Sequence, residues 1–109
     1  MSRDAGLPPG TLNLIILRVL RGGPLHGYAI ARKIQLLSRD ELQVEEGSLY
    51  PALQKLLIKG FVKAAWDVSD TGRKVRVYRL TPAGKKQLDA ELSEFRRTTV
   101  AIESIIDTA

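Results

Sequence analysis

The chain has 109 residues, of which 44% are hydrophobic and 27% charged, with a formal net charge of +5, as expected for one small globular domain. It contains no Cys and one His, which excludes a disulfide framework, a thiolate metal site and a cluster of His ligands. No apolar run approaches the roughly 20 residues of a membrane span, and the N-terminus lacks the apolar core of a signal peptide, so we expect a cytoplasmic protein.

The basic excess is concentrated in the middle of the chain. Residues 46–80 carry seven Lys or Arg against three Asp or Glu, whereas residues 1–45 carry six against four and residues 81–109 carry four against five. A localised excess favours a polyanionic partner. A solvated surface with a chance excess of basic residues explains the composition equally well. The charge distribution alone therefore does not decide whether the partner is a polyanion.

Two helices are predicted in the first third of the chain. Residues 1–10 contain Gly and Pro and predict an arm, Thr11 is a suitable N-cap, and Gly and Pro over 22–24 end the first helix. Besides its main apolar stripe this helix has a second apolar face at Leu14 and Leu17, which the C-terminal helix or another subunit must cover. The second helix, over 27–37, is predicted to bury Ile30, Ala31, Ile34 and Leu37.

His26 and Tyr28 flank the start of the second helix. His26 can be a general base or metal ligand, or an N-cap or packing residue; the structural role is favoured because no carboxylate, Cys or second His lies near it in sequence. Tyr28 can be a core aromatic or a phosphate contact, and the core is favoured. The polar connection that follows, over 38–45, has two apolar anchors, Leu42 and Val44.

The stretch 45–60 predicts a short amphipathic helix that begins between residues 45 and 48. Pro51 removes a backbone hydrogen bond, so either the helix starts late or its first turn is distorted. The apolar stripe consists of Leu49, Leu53, Leu56 and Leu57. The opposite face consists of Ser48, Pro51, Ala52, Lys55 and Lys59, with Tyr50 and Gln54 on its flank. Small residues at its start and Lys behind them suit close approach to a negative surface.

Two alternating runs, 61–68 and 73–80, are joined by a Gly-containing turn and predict a β-hairpin. Its tip and second strand carry Arg73, Lys74, Arg76 and Arg79. Basic residues that protect an edge strand from aggregation account for Arg79, near the base of the hairpin. The cluster at the tip favours an anionic contact.

A long final helix is predicted from Thr81 as N-cap and Pro82 as its first residue. Its apolar residues alternate at spacings of four and three, a heptad-type seam. About 25 residues of helix extend nearly 40 Å, more than the core of so small a domain needs. A long capping helix on a monomer is the alternative, but dimerisation is favoured. The seam consists of Leu88, Leu92, Phe95, Thr99, Ile102 and Ile106.

The order of elements predicts a mainly α fold with a small β-hairpin: a winged helix-turn-helix domain over 11–81 and a dimerisation helix over 82–109. The third helix fits the major groove of DNA, which is about 12 Å wide. There Gln54 can pair with a base edge, adenine being its usual partner. Lys55 and Lys59 are expected to meet phosphates, and Ser48 and the Tyr50 hydroxyl could donate to a phosphate or a base. The hairpin tip would follow the backbone or enter the adjacent minor groove.

Three motifs occur in order along the chain. They are Leu25-His-Gly-Tyr-Ala-Ile, Gly47-Ser-Leu-Tyr-Pro-Ala-Leu with Leu56 and Gly60, and Arg73-Lys ahead of Tyr78-Arg-Leu-Thr-Pro-Ala-Gly84. Over roughly residues 10–90 the chain closely resembles the PadR family of bacterial transcriptional regulators. The resemblance implies a winged helix-turn-helix homodimer of the short branch that binds operator DNA, usually as a repressor. Two recognition helices of a dimer should sit about 34–36 Å apart, so we expect the operator to be an inverted repeat. By position the resemblance assigns Ser48, Tyr50, Pro51, Gln54 and Lys55 to the recognition helix and Arg73, Lys74 and Arg76 to the wing.

Some members of that family respond to small aromatic or drug-like molecules held near the dimer interface. A pocket of this kind would here be lined by Phe95 with Leu14, Leu17 and Leu92. The only Trp, Trp66, lies on the first hairpin strand and the last helix offers no aromatic residue besides Phe95, which argues against such a pocket. A role for Phe95 in the dimer seam is the favoured interpretation.

Two other classes of function compete with a DNA-binding regulator. A winged-helix module that binds an acidic protein could use the same Lys and Arg residues, although the basic wing tip favours DNA. An enzyme is disfavoured because the sequence has no Ser-His-acid set, paired catalytic carboxylates, P-loop or GxGxxG motif. No cofactor is expected.

Overall fold

The computed structural model describes residue 7 and residues 10–109. Within this part of the chain, four helices and a three-stranded antiparallel sheet confirm the predicted fold class. The predicted N-terminal arm lies outside the described residues, apart from Leu7 and Gly10. The elements are α1 (Thr11–Leu20), β1 (Leu25–His26), α2 (Gly27–Leu37), α3 (Glu46–Ile58), β2 (Val62–Val68), β3 (Lys74–Leu80) and α4 (Pro82–Thr108).

Helix α1 is the centre of the core and contacts α2, α3 and α4. Ile16 and Leu17 on this helix have no exposed surface, and Leu14 is buried as well. The second apolar face of α1 is therefore covered within the same chain, where α4 packs against it. Burying three large aliphatic side chains stabilises the fold by several kcal/mol, at about 1.5–3 kcal/mol each.

Helix α2 is capped by His26, whose Nδ1 accepts a hydrogen bond from the Ala29 N–H at 3.2 Å. This confirms the structural role expected for His26. Ile30 and Ile34 are buried as predicted, but Leu37 is 66% exposed, so its predicted inward orientation was wrong. The helix ends at this residue and the chain turns away through Arg39 and Asp40, both with positive φ.

Helix α3 begins at Glu46 and passes through Pro51, which excludes a late start. Pro51 has no N–H to donate to the carbonyl of Gly47, four residues earlier. Gly47 is exposed, so water can satisfy this carbonyl. The missing hydrogen bond therefore falls on the solvent side of the helix.

Ala52 of the same helix was predicted on the outward face and is instead buried, with 8% of its surface exposed. It follows Leu49 by three residues and precedes Leu56 by four, so at 3.6 residues per turn it shares their side of the helix and lies at its edge, beyond Leu56. Leu57, predicted in the apolar stripe, is only partly buried. The buried face of α3 is thus rotated slightly from the predicted stripe, toward Ala52.

The sheet has the strand order β1-β3-β2. The predicted hairpin is present, with β2 and β3 paired from Val62 opposite Leu80 to Val68 opposite Lys74. The sequence analysis missed β1, which pairs with β3 through Leu25 opposite Tyr78. Through β1, the start of α2 is fixed against the hairpin.

Thr81 joins the hairpin to the last helix. Its Oγ1 accepts from the Gly84 N–H at 2.9 Å, which confirms the predicted N-cap, and donates to the Gly60 carbonyl at 2.7 Å. Gly84 lies so close to the Phe61 carbonyl that a Cβ atom would collide with it. The end of α3, the base of the hairpin and the start of α4 are thereby locked together.

Candidate nucleic-acid interface

The outward face of α3 presents side chains that the core does not use. Pro51, Gln54, Lys55 and Lys59 are exposed and Ser48 is partly buried, in agreement with their predicted outward orientation. Ile58, which the sequence analysis did not single out, is 77% exposed on the same face, one turn after Gln54. The face thus combines a hydroxyl, an amide, two cations and the apolar side chains of Pro51 and Ile58.

Tyr50 points from α3 toward α2 rather than straight outward. A Cβ atom on Gly27 would lie 2.7 Å from the Tyr50 hydroxyl oxygen, so the absence of a side chain at Gly27 gives the phenol its place. Burial, followed by the charges of Glu46 and Tyr78, raises the pKa of Tyr50. The phenol therefore stays protonated and can donate a hydrogen bond to an anion.

The hairpin tip carries the predicted cations, and two of them lie over aromatic rings. Arg73, Lys74 and Arg76 are all exposed. The Nζ of Lys74 lies 5.1 Å from the centroid of the Trp66 ring. The Cζ of Arg76 lies 5.8 Å from the centroid of the Tyr78 ring.

An open groove of about 620 Å³ separates the hairpin tip from the start of α2. We call it the wing groove. Its lining combines basic and hydrogen-bonding side chains: His26, Tyr28, Ser69, Asp70, Thr71, Arg73, Lys74 and Val75. An adjoining cavity extends it past Gly27 to Tyr50 of α3. One continuous surface thus joins the start of α2, the start of α3 and the hairpin cations.

Tyr28 was expected in the core, and that prediction was wrong. The side chain is 64% exposed, and its ring stacks on His26 with 6.2 Å between the ring centroids. It lies in the first turn of α2 on the side that faces the wing groove, away from buried Ile30. Its position leaves the other interpretation, a phosphate contact, open.

The residues predicted for a dimer interface divide into two groups. Leu17 and Leu88 have no exposed surface and Leu14 only 8%, so these three belong to the core of the chain and offer almost nothing to a partner. The rest of the predicted seam runs outward along α4 and becomes progressively more exposed. It consists of Leu92 and Thr99, partly buried, and Phe95, Ile102 and Ile106, exposed.

A second groove, of about 440 Å³, lies between the start of α1 and α4. Leu14 and Phe95 lie in its lining, as predicted for an effector pocket, together with Thr11, Thr99 and Ile102. Leu17 and Leu92, which were also predicted for the pocket, lie outside that lining. Leu17 is turned into the core. We call this the α1–α4 groove.

Over the residues described, no helix is long and apolar enough to cross a membrane. The same residues contain no group of three or more His, Asp or Glu side chains placed to bind a metal ion.

Comparisons with known proteins identify the family. The model of the transcriptional regulator PadR-like family matches residues 16–90. The transcriptional regulator Rv3488 of Mycobacterium tuberculosis is 41% identical over 86 residues, which cover 79% of this chain and 73% of that protein. The negative transcriptional regulator PadR of Bacillus subtilis is 31% identical over 77 residues, which cover 71% of this chain and 42% of that protein.

Solved structures agree with the sequence matches. The crystal structure of a PadR family transcription regulator from Clostridium difficile R20291 has a TM-score of 0.77 and 27% identity, covering 89% of this chain and 99% of that one. The resemblance carried by the three motifs is thereby confirmed, and the family is one of transcriptional regulators rather than enzymes. The chain belongs to the PadR-like family of transcriptional regulators.

Proposed function

We propose that this protein is a sequence-specific DNA-binding regulator that represses transcription by binding an inverted-repeat operator as a homodimer. The observation that carries the proposal is the continuous surface from Tyr50 of α3, past the start of α2, to the cations of the hairpin tip. A duplex that receives α3 in its major groove would lay a phosphate backbone along this surface. The sign of regulation rests on the similarity to the negative regulator of Bacillus subtilis.

Each group on this surface has a distinct role in the proposal. Gln54 reads a base edge, because a side-chain amide can make two hydrogen bonds to adenine. Lys55, Lys59 and the hairpin cations bind phosphates, which supply affinity but no base preference. Ser48 and the protonated Tyr50 hydroxyl donate to phosphate or base oxygens. Pro51 allows the outward face of α3 to approach the groove closely, because its compact ring lies there.

The homodimer is proposed from the exposed half of the α4 seam. Phe95, Ile102 and Ile106 are 46%, 51% and 70% exposed at spacings that place them on one stripe. A second α4 helix would cover this stripe and set two α3 helices on one side of the duplex. The domain limits expected above, with α4 as the dimerisation element, belong to the same proposal.

The α1–α4 groove is proposed as the place for a small aromatic effector. Phe95 offers a ring, and Ile102 offers apolar surface beside it, with the small exposed part of Leu14 at the base of the groove. Because Phe95 also lies on the seam, a molecule bound there would touch both the effector site and the interface.

Selection of bound DNA from a random pool tests the proposed function, because the operator sequence is not needed beforehand. We expect an inverted repeat, bound at physiological salt at least about a thousandfold more tightly than random DNA. Affinity for the selected sequence no better than for random DNA would refute the sequence-specific regulator. Binding to an acidic protein with no DNA preference would favour a protein-interaction module.

Two Arg residues of β3 and its preceding turn provide a matched comparison. Arg73 lies in the wing groove, whereas Arg79 lies opposite Lys63 near the base of the hairpin. Arg73→Ala should weaken binding to every DNA sequence, and Arg79→Ala should leave it within about twofold of the wild type. Equal losses for both variants would contradict the assignment of the wing groove to the phosphate backbone.

A further inference from the structure

Trp66 is a large side chain that the core does not use. It is 63% exposed, although it lies on the same face of β2 as buried Val62 and partly buried Ala64. The apolar face of the hairpin therefore continues beyond the body of the domain, through the indole of Trp66 to exposed Val68. Burial alone gives no reason for so large an aromatic residue at this position.

The strand register places Trp66 among the cations of the wing. Trp66 lies opposite Arg76, and Val68 lies opposite Lys74, so Lys74 is a diagonal neighbour on the same face. The 5.1 Å between Nζ and the ring centroid is within the range of about 6 Å for a cation–π contact. Arg76 also lies over an aromatic ring, that of Tyr78 two residues later on the same strand. Tyr78 is 5% exposed, so its ring is fixed in place.

We propose that Trp66 is a positioning residue that holds the Lys74 ammonium group where a DNA backbone phosphate will meet it. The inference rests on the function proposed above. A free Lys side chain loses rotamer freedom when it binds, and a side chain that already rests on a ring loses less. The ammonium group keeps its N–H donors on the side away from the ring. Trp66 thus raises affinity through Lys74, without a base preference of its own.

The contact can be measured in the protein without DNA. Protons above an aromatic ring are shifted upfield, so NMR should find the ε-methylene protons of Lys74 upfield of those of the other Lys residues. Trp66→Leu should abolish the shift and Trp66→Phe should keep part of it. Val68→Ala, on the same face and opposite Lys74, is the control that removes apolar surface but no ring. A Lys74 resonance that is the same in the wild type and in Trp66→Leu would overturn the proposal.

DNA binding separates positioning from direct contact. Trp66→Leu should weaken binding to selected and random DNA alike, by about threefold. It should leave the dependence of affinity on salt unchanged, because every charge is still present. Lys74→Ala should lower the slope of log affinity against log salt by about 0.9. The double variant should bind like Lys74→Ala alone, since the ring acts only through that cation.

Two other outcomes would refute the role of Trp66 and leave the proposed DNA-binding function intact. If Trp66→Leu binds as tightly as the wild type, the ring positions nothing. If the loss persists in full in the Lys74→Ala background, the indole contacts DNA itself. A wild-type protein without affinity for DNA would instead refute the regulator. Trp66→Thr, which suits an exposed strand, replaces the Leu variant should that variant fail to fold.

Discussion

Gln54 and Lys55 are sequence neighbours whose side chains should contribute differently to DNA binding. Both are exposed on the outward face of α3, one with an amide and the other with an ammonium group. An amide can distinguish bases because it both donates and accepts hydrogen bonds. An ammonium group only donates, and it binds the phosphate of any nucleotide without a base preference. Substituting each in turn therefore separates specificity from affinity.

Gln54→Ala should relax base preference. Loss of a bidentate contact lowers the discrimination against a wrong base by about 1–3 kcal/mol, whereas non-specific binding stays near the wild-type value. Competition between the selected operator and its single-base variants measures the change. Equal losses on operator and random DNA would remove Gln54 from the set of base-reading residues.

Lys55→Ala should weaken binding to all sequences and lower the salt slope by about 0.9, the value for one phosphate contact. Titrations at several salt concentrations give the slope directly. Lys63→Ala is the matched control, because Lys63 is exposed on β2 opposite Arg79 and outside the linings of the wing groove and of the cavity that adjoins it. A slope change as large for Lys63 would mean that the effect reflects overall charge.

Residue types and their spacing predicted the outward positions on α3, because a 3.6-residue period defines the two faces of a helix. The same reasoning failed at Ala52 and Tyr28. A small Ala is compatible with either face, and an aromatic residue in a first turn can be buried or exposed, depending on which element lies beside it. For Tyr28 that element is the hairpin tip, which is far away in sequence and is separated from the ring by the open wing groove, so the ring stays exposed.

At the scale of elements, the junction around Thr81 decides how the wing and α4 are held. The cap and the Pro at the first helical position were predictable, because both are local signals. The close approach of Gly84 to Phe61 was not, because it depends on how the chain returns after the hairpin. β1 was missed for a similar reason: two residues carry no alternating pattern, and their pairing with β3 is a tertiary contact.

Gly84→Ala should lower the free energy of unfolding by about 1–3 kcal/mol, the cost of forcing extra volume into a packed site. The added Cβ would meet the Phe61 backbone, which cannot move aside as a flexible side chain can. Urea denaturation followed by circular dichroism gives the difference between variant and wild type.

Gly47→Ala is the control for this experiment. Gly47 is also helical, but a Cβ atom there would meet nothing within 4 Å. This variant should be as stable as the wild type or up to about 1 kcal/mol more stable, because Ala favours the helix. A Gly84→Ala protein that unfolds at the same urea concentration as Gly47→Ala would contradict the steric argument.

At the scale of the whole molecule, the part of the chain that the structure describes measures 56 × 33 × 20 Å, and its length reflects the extension of α4. The heptad-type spacing predicted the long helix. Spacing alone could not indicate where the core ends, because Leu88 and Ile102 look alike in sequence. In the fold Leu88 is fully buried and Ile102 is 51% exposed, so only the later part of the seam is available to a partner.

Ile102→Glu should yield monomers and lose tight operator binding, because two like charges would face each other across the α4 seam. Sedimentation measures the assembly, and titration with the selected operator measures binding. Ser104→Glu introduces the same charge on the exposed opposite side of the helix and should remain dimeric. A monomeric wild type would refute the dimer. In the dimer, half-sites should lie about 34–36 Å apart or at a multiple of that spacing.

The exposed indole of the wing also gives the protein its own optical probe. Trp66 is the only Trp in the sequence, beside three Tyr, so light absorbed selectively by indole is emitted from the wing alone. A change of emission on adding DNA would report occupancy of the wing in the unlabelled, native chain. The lining of the α1–α4 groove contains no residue of the wing, so a bound molecule that does not absorb indole emission would alter this emission by moving the wing. The same fluorescence titration can therefore tell an effector that acts on the DNA-binding end from one that merely binds.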